Sequence, residues 1–227
     1  MKIPKQVIYI IEQLEKNGFE GFIVGGCVRD YLLGFEPKDF DITTDAMPQD
    51  IKNIFTHTID TGIEHGTVTV VLDKQNFEVT TYRIDGEYKD NRRPESVIFS
   101  KKIDEDLSRR DFTMNAIAYS VNKGFIDPFG GRDDINNKII KGVGDASKRF
   151  KEDALRMMRG VRFSAQLGFN IEEKTFLSIK EDASLIENIS IERTRDEFLK
   201  LIKSDYIEKL NLLEETNLYK YFIPEIE

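Results

Sequence analysis

The apolar positions at the start of the chain recur with the period of a helix. They follow one another at three- and four-residue spacing, at Val7, Ile8, Ile11 and Leu14. Pro4 stands just before this stretch and Gly18 just after it, as is typical of a helix start and a helix end. The pattern predicts an amphipathic helix that buries one face.

Up to about residue 145, short strand-like runs alternate with short helical patterns. The strand-like runs read GFIVGG, DFDIT, GTVTVVLD and FEVTTYRI, and the helical ones read VRDYLL and PQDIKNIF. Alternation of this kind predicts a mixed sheet with helices packed on it. We therefore expect residues 1–145 to form one domain that contains a mixed sheet.

Beyond this point the strand-like runs stop and the helical period takes over. Helical patterns cover 146–167, 172–183, 191–203 and about 205–217. A lasting change of period marks a domain boundary. The chain is predicted to have an α+β fold, with an all-helical second domain over residues 146–227.

Composition indicates a globular protein in a reducing compartment. Apolar residues make up 40% of the 227, and the single cysteine cannot form an internal disulfide. Charges interrupt every apolar run, so we expect no membrane-spanning helix. The first residues lack the layout of a signal peptide. These features favour a cytoplasmic location, and none of them predicts a protein partner.

The net charge of −8 argues by itself against a nucleic-acid partner, because phosphate binding depends mainly on lysine and arginine. Basic residues are nevertheless concentrated in two zones. The first holds Arg92, Arg93, Lys101, Lys102, Arg109 and Arg110, and the second Lys148, Arg149, Lys151, Arg156, Arg159 and Arg162. An acidic protein can therefore still carry local phosphate-binding surfaces.

The strongest candidate for catalysis is a pair of carboxylates, Asp39 and Asp41, on either side of Phe40. On a strand, alternate side chains share a face, so both carboxylates would project together while Phe40 enters the core. Neighbouring carboxylates repel each other, and a divalent cation removes that cost. Such oxygen ligands suit Mg²⁺. Glu78, between two apolar neighbours on a later strand, could complete a two-metal site and is the third residue of the candidate catalytic group.

A pair of glycines precedes the carboxylates by about fifteen residues. Gly25 and Gly26 stand between a strand-like run and a helical one, where backbone N–H groups can approach a phosphate. Arg29 follows within the helical pattern and offers a fork of donors. Each of these features is common by chance, and a simple turn or a solvated strand end is the alternative interpretation. Their order along one segment favours a phosphate site.

Six ordered motifs carry a resemblance to a known family. They read GGCVRDYLLG, KDFDITT, FEVTTYR, RRDFTMNAIAY, DPFGGRDDI and EDALRMMRGVRF. The chain resembles the class II tRNA nucleotidyltransferases and bacterial poly(A) polymerases, within the polymerase-β-type superfamily. This resemblance implies a nucleotidyltransferase head with a mixed sheet and a helical neck. It also implies metal binding at Asp39 and Asp41 and triphosphate contacts from Gly26 and Arg29.

The resemblance implies nucleotide contacts in two further motifs. In RRDFTMN they fall on Arg110, Asp111 and Asn115, and a helix start capped by Asp111 is the alternative. In EDALRMMRGVRF the nucleotide-selecting positions are Asp153, Arg156, Arg159 and Arg162. On a continuous helix, Ala154, Met158, Val161 and Ala165 would share the buried face. The arginines would then face a cleft or solvent.

The donor and acceptor pattern of the bases suggests how Asp153 and Arg156 can select nucleotides. Cytosine and adenine each present an exocyclic amine beside an unprotonated ring nitrogen. A carboxylate can accept from the amine while a guanidinium donates to the ring nitrogen. One Asp–Arg pair can thus accept both CTP and ATP and disfavour UTP and GTP. The expected reaction is addition of C and A to the 3′ end of tRNA.

Several alternatives stay open. An A-adding enzyme or a poly(A) polymerase of the same family would show similar motifs, as would a non-catalytic nucleotide- or RNA-binding module. The segment GEYKDNRRPESVIF, with Arg92 and Arg93, resembles the loop of CCA- and A-adding members, which argues against a strictly CC-adding enzyme. Residues 85–94 are expected to be poorly ordered. Cys27 lacks a nearby histidine and is interpreted as a packing residue. Charges in IERTRDEF are expected to brace neighbouring helices.

Overall fold

A computed structural model describes residues 2–86, 88 and 96–222. The described residues form two compact units. The first comprises 2–85, 97–109 and 115–132, and the second comprises 86, 88, 96, 110–114 and 133–222. Most of the loop 85–94, including Arg92 and Arg93, lies outside the described residues, so the expectations for that loop stay predictions.

The first unit contains the sheet and the shorter helices. Its helices are α1 (Lys5–Lys16), α2 (Gly26–Leu32), α3 (Pro48–Ile54) and α4 (Ile103–Ser108). Its strands are β1 (Gly21–Val24), β2 (Asp41–Thr44), β3 (Thr58–Gly62), β4 (Thr67–Leu72), β5 (Gln75–Thr81), β6 (Arg83–Asp85), β7 (Val97–Phe99), β8 (Ala118–Ser120) and β9 (Gly124–Ile126). The next helix, α5 (Gly131–Asn136), contains the last point at which the chain passes from the first unit to the second.

Among the described residues, seven strands form one mixed sheet in the order β3-β4-β5-β2-β1-β8-β9. The β2–β5 pair is parallel and the other neighbours are antiparallel. Strands β6 and β7 form a separate two-stranded ribbon. The predicted mixed sheet is confirmed, although the sequence patterns missed β3, β7, β8 and β9, which are short or alternate weakly.

One face of this sheet is apolar and carries the helices. Helix α1 contacts β1 and β2, and α3 contacts β4 and β5. The apolar positions predicted on α1 are buried there, except that Ile8 is only half-buried. Cross-strand partners from three adjacent strands, Ile42, Val79 and Val68, are buried on this face. The opposite face carries polar residues at its β3–β4–β5 end, which matters for the site.

The second unit is mainly helical. Its helices are α6 (Ala146–Glu152), α7 (Leu155–Leu167), α8 (Glu173–Asp182), α9 (Ile191–Leu201) and α10 (Asn211–Glu215). The two-residue strands β10 (Ile139–Ile140) and β11 (Asn170–Ile171) pair in parallel. The α+β class is therefore confirmed. A strictly all-helical second part is not, because β11 lies within it.

The core of the second unit forms around α7. Phe112 meets Phe163 edge to face, with ring centroids 6.0 Å apart. Gly160 lies beside the same ring, and a Cβ added there would approach Phe112 Cζ to 3.1 Å. Glycine at this position therefore permits close packing. Residues 133–145 also belong to this unit, while a functional boundary at residue 145 stays a prediction.

Candidate active site

A cavity of about 760 Å³ opens in the first unit beside strands β2, β4 and β5. Asp39, Asp41 and Glu78 all line it, and all three residues are exposed. The structure thus brings together the three carboxylates that the sequence pattern singled out. Because all three residues are exposed, an ion or a substrate can reach them from solvent.

The local backbone differs from the expectation in one respect. Strand β2 begins at Asp41, so Asp39 and Phe40 precede the strand. Phe40 is half-exposed and lines the cavity with its two neighbours, and it is not part of the core. The prediction that Phe40 is buried was wrong, because the strict alternation of sides applies only within a strand.

Strand pairing explains why Glu78 joins the other two carboxylates. In the parallel β2–β5 pair, Ile42 stands opposite Val79. Extending that register by one residue places Asp41 beside Glu78, and Val79 and Phe77 are buried on either side of Glu78. Neighbouring strands are about 4.8 Å apart, so the two carboxylates repel each other unless a cation lies between them.

The donor set suits a hard divalent cation. Carboxylate oxygens are the ligands of Mg²⁺, which is bound through one or two carboxylates and keeps other positions for water and substrate. In the part of the chain that the structure describes, no group of three or more His, Cys, Asp or Glu residues is arranged to hold a metal ion. The pair of carboxylates at Asp39 and Asp41 matches the small number of protein oxygens that Mg²⁺ takes.

The predicted phosphate motif forms a tight turn from strand to helix. Gly25 has φ +83°, a conformation that favours glycine, and its N–H donates to the Ile117 carbonyl at 3.3 Å. Arg29 on α2 donates to the Asn115 side chain at 2.8 Å and to Asp30 at 2.6 Å. Arg29 and Asn115, predicted in separate motifs, are thus brought into contact.

The RRD motif divides between the two units. Arg109 belongs to the first unit, where it pairs with the fully buried Asp106 at 2.8 Å. Arg110 and Asp111 belong to the second, where Asp111 accepts two hydrogen bonds from Arg159, at 2.6 and 2.8 Å. Asp111 lies beside Arg159 and, with burial opposing it, raises the pKa of that guanidinium. Asp111 therefore fixes the position of Arg159.

The arginine-bearing segment is broken between α6 and α7. Asp153 has φ −139° and ψ 103°, which is extended backbone, so the continuous helix predicted over 146–167 was wrong at this point. The buried face was predicted correctly, since Ala154, Met158, Val161 and Ala165 are all fully buried. The break takes Asp153 out of the helical repeat and leaves its side chain at the start of α7.

Asp153 and Arg156 are each held by another residue. Asp153 accepts from the Arg193 guanidinium at 3.1 Å and from the Leu155 N–H at 3.2 Å. Arg156 donates to Glu152 at 2.9 Å and to the Arg149 carbonyl at 3.2 Å. Glu152 was not predicted as part of the site, although its four-residue spacing from Arg156 is a recognisable signal. Arg193 was expected only to brace helices.

Arg162 is buried and pairs with Glu197 of α9 at 2.5 Å. It also donates to Gln166 at 2.6 Å and lies 3.9 Å from the centre of the Phe163 ring. Burial lowers the pKa of Arg162, and the pair with Glu197 offsets only part of this effect. Burial by itself raises the pKa of Glu197, but the Arg162 guanidinium and a hydrogen bond from Lys200 together hold that pKa below its usual range. Arg162 does not face an open cleft as predicted.

Most cations of the two basic zones are likewise engaged. Ion pairs involve Lys101, Lys102, Arg109, Arg149, Lys151, Arg156, Arg159 and Arg162 among the described residues. Local acidic partners therefore compensate much of the basic charge. Arginine in this region therefore holds structure and orients neighbouring groups.

Cys27 is buried at the start of α2, and its thiol donates weakly to the Val24 carbonyl at 3.4 Å. Burial raises the pKa of this thiol to about 12, and the Asp41 carboxylate adds to the effect. A thiol that stays protonated at neutral pH is a poor nucleophile. Its interpretation as a packing residue agrees with this environment.

Within the described residues, no helix is long and apolar enough to cross a membrane.

Comparison with known proteins agrees with this architecture. Residues 21–141 match the family described as poly A polymerase head domain, and residues 168–227 match a probable RNA and SrmB-binding site of polymerase A. The chain is 50% identical over 223 residues to the CCA-adding enzyme of Geobacillus kaustophilus, and 47% identical over 233 residues to that of Lactococcus lactis. These matches cover 97% and 100% of the chain, but 55% and 58% of the relatives.

A solved structure shows the same fold. The CCA-adding enzyme of Bacillus stearothermophilus in complex with CTP superposes with a TM-score of 0.90 at 47% identity, over 98% of this chain and 54% of that one. The fold and the site define the polymerase-β-like nucleotidyltransferase class, whose members are typically metal-dependent. The chain belongs to the family of CCA-adding enzymes and poly(A) polymerases and contains its head and neck domains. It spans about half the length of the curated relatives that it matches.

Proposed function

We propose that this chain carries the nucleotide-transferring and nucleotide-selecting parts of an enzyme that adds C and A to the 3′ end of tRNA. CTP and ATP are the substrates and pyrophosphate is released. Residues 1–145 are proposed to act as the catalytic head and 146–227 as the nucleotide-selecting neck. The named relatives are CCA-adding enzymes, and one of them was solved with CTP, which supports the proposal.

The observation that carries the proposal is the way Asp153 and Arg156 are held. Each has a separate ionic partner, Arg193 for Asp153 and Glu152 for Arg156. Arginine keeps five N–H donors and a carboxylate several acceptor positions, so both groups retain capacity for a base. A fixed acceptor and a fixed donor match the amine and ring nitrogen shared by cytosine and adenine.

In the head, Asp39 and Asp41 are proposed to hold Mg²⁺, with Glu78 beside them. When bound, the metal would supply charge stabilisation at the oxygens of the transferring phosphate. Gly26 would present its backbone N–H to the triphosphate from the turn that Gly25 forms, and Arg29, oriented by Asn115, would donate to it. Asp111 would orient Arg159 toward the nucleotide, beside Arg110. Arg162 acts through Glu197 to hold α7 against α9.

The test uses the chain with Mg²⁺, labelled RNA hairpins and single nucleotides. The hairpins reproduce the acceptor end of tRNA and stop before, within or after CCA. We expect C to be added to the first, A to the hairpin that ends in CC, and nothing to the complete end. Sequencing of the products separates the possible activities. Runs of A on every hairpin would indicate a poly(A) polymerase, and no incorporation would indicate a binding module.

A cytoplasmic location forms part of the proposal. It rests on the substrate class and on the free, buried cysteine, which suits a reducing compartment. Fractionation of cells that express the tagged chain would test it, and recovery with a secreted or membrane fraction would contradict it.

A further inference from the structure

The cavity beside the carboxylates is lined by two chemically different sets of side chains. The charged set consists of Asp39, Asp41 and Glu78, and Lys38 is the one basic side chain among the lining residues. Three carboxylates against one ammonium make the cavity anionic, which disfavours a triphosphate except where a metal intervenes. The remaining polar lining is uncharged and consists of hydroxyl and amide groups. Groups of this kind suit a neutral, hydroxyl-rich ligand.

The uncharged set includes a pair of threonines. The hydroxyls of Thr61 on β3 and Thr69 on β4 lie 2.8 Å apart, and both residues line the cavity. Thr69 is buried, while Thr61 is exposed. Each hydroxyl offers one donor and two acceptor positions, so the pair keeps hydrogen-bonding capacity after satisfying itself. A ligand in the cavity can therefore form hydrogen bonds with the two hydroxyls.

A break in strand register directs this pair toward the cavity. The β3–β4 register shifts between Ile59 and Gly62, and Thr61 lies inside the shifted stretch. Bulges of this kind redirect a side chain and are frequent beside active sites. On β4, Thr69 stands opposite Glu78, so the hydroxyl pair and the carboxylate share one face of the sheet. The register thus connects the threonines to the catalytic group.

Two further side chains extend the same surface. Asn76 is exposed and lies two residues before Glu78 on β5, on the same face of the sheet. Its amide can both donate and accept. Phe40 is half-exposed beside the carboxylates and offers an aromatic face. Aromatic faces stack with bases whatever their identity, which suits an RNA end of variable sequence.

We infer that this surface is the subsite for the terminal ribonucleotide of the RNA acceptor. In it, the Thr61–Thr69 hydroxyl pair binds the ribose 2′-hydroxyl, Asn76 bonds to the base, and Phe40 stacks on it. The inference rests on the proposed function, since it places the acceptor end beside Asp39 and Asp41. It also assigns a means of distinguishing RNA from DNA, because the 2′-hydroxyl is what differs between them.

The experiment compares two acceptor hairpins that differ in one atom. Both stop before CCA, and the terminal sugar is either ribose or 2′-deoxyribose, with the 3′-hydroxyl present in each. Acceptor kcat/KM and the KM for CTP are measured for the wild-type chain and for Thr61→Val, Asn76→Ala and Thr56→Val. Thr56 is exposed near the start of β3 and does not line the cavity, so it serves as the matched control. Fluorescence anisotropy of labelled hairpins without nucleotide gives binding independently of turnover.

We expect Thr61→Val to lower kcat/KM and binding for the ribose acceptor by about three- to tenfold, the size of one hydrogen bond. The 2′-deoxy acceptor and the KM for CTP should not change. Asn76→Ala should weaken both acceptors equally, and Thr56→Val should match the wild type. Equal loss on both acceptors in Thr61→Val, a raised KM for CTP, or the same loss in Thr56→Val would overturn the inference. If the wild type extends neither hairpin, the proposed function itself fails and the inference fails with it.

Discussion

The two charged regions of the molecule differ in what holds their charges. In the first unit, Asp39, Asp41 and Glu78 are exposed at a cavity. In the second unit, Arg156, Arg159 and Arg162 are constrained by the carboxylates of Glu152, Asp111 and Glu197. Exposed carboxylates contribute little to folding, whereas breaking a buried ion pair leaves an uncompensated charge. Substitutions in the first region should therefore change activity with little change in stability. Substitutions in the second region should change both.

The largest effect is expected from the carboxylate cavity. Asp39→Ala or Asp41→Ala should lower nucleotide incorporation on the order of 10³-fold or more, because a metal supplies several kcal/mol of charge stabilisation. The melting temperature should stay close to that of the wild type, since both residues are exposed. Glu64→Ala removes an exposed carboxylate outside the cavity and is the control. Near-wild-type turnover in both aspartate variants would remove the proposed metal site.

The second effect concerns the buried pair that holds α7 against α9. Arg162→Ala leaves Glu197 buried without its guanidinium and should cost about 3 to 5 kcal/mol of unfolding free energy. Urea unfolding at neutral pH measures this. Arg195→Ala, which removes an exposed arginine of α9, should change stability by less than about 0.5 kcal/mol. Similar losses of unfolding free energy in the two variants would show that the Arg162–Glu197 pair contributes no more to stability than a surface contact.

The Arg162–Glu197 pair also predicts how the free energy of unfolding depends on pH. The pKa of Glu197 is held below its usual range, so its ionised form stabilises the fold above the usual glutamate pKa of about 4.3. That contribution should disappear as the pH falls through the lowered pKa of the folded state. Glu197→Gln should therefore reduce the difference in unfolding free energy between pH 7 and pH 3. An unchanged difference would contradict the shift.

A smaller effect should test whether the neck reads the base. Asp153→Ala removes the acceptor for the exocyclic amine and should cost about 1 to 3 kcal/mol with CTP and ATP, or about five- to 150-fold. Discrimination against UTP should fall, and Asp153→Asn should favour UTP further because an amide can also donate. The measurement is kcat/KM for the three nucleotides. An equal loss for all three would show that Asp153 positions α7 and does not read the base.

Arg193→Ala is the companion to that test, because it removes the partner of Asp153 without removing the proposed acceptor. Partial loss of CTP selectivity, smaller than in Asp153→Ala, is the expected outcome. Selectivity as poor as in Asp153→Ala would indicate that the Arg193 contact, and not Asp153 itself, determines the reading of the base.

The smallest effect is expected at Cys27. Because burial raises the pKa of its thiol to about 12, alkylation by iodoacetamide at pH 7.5 should be slow in the folded chain and fast in urea. Cys27→Ala should leave incorporation unchanged. Rapid modification of the folded chain would show that the thiol is accessible and ionised, contrary to its packing in the structure.

The sequence by itself determined the class of fold and most of the candidate site. Hydrophobic period alone indicated the mixed sheet followed by helices, and local motifs singled out Asp39, Asp41, Arg29 and Asp153. The inference about the fold succeeded because helix and strand periods are local properties of the chain, and the motifs could be singled out because turn glycines and ordered residues are local as well. The same local rules placed Phe40 in the core and continued α6 through Asp153, and both of those predictions were wrong.

Only the tertiary structure decided which charged groups meet. Glu78 lies beside Asp41 because of a parallel strand pairing, and Asn115 meets Arg29 across 86 residues of sequence. Arg162 is buried because α9 presents Glu197 to it, a partner 35 residues away. The sequence shows the charges but not their partners, since pairing over such distances depends on how whole elements pack. Whether an arginine binds a ligand or holds a helix is therefore a property of the fold.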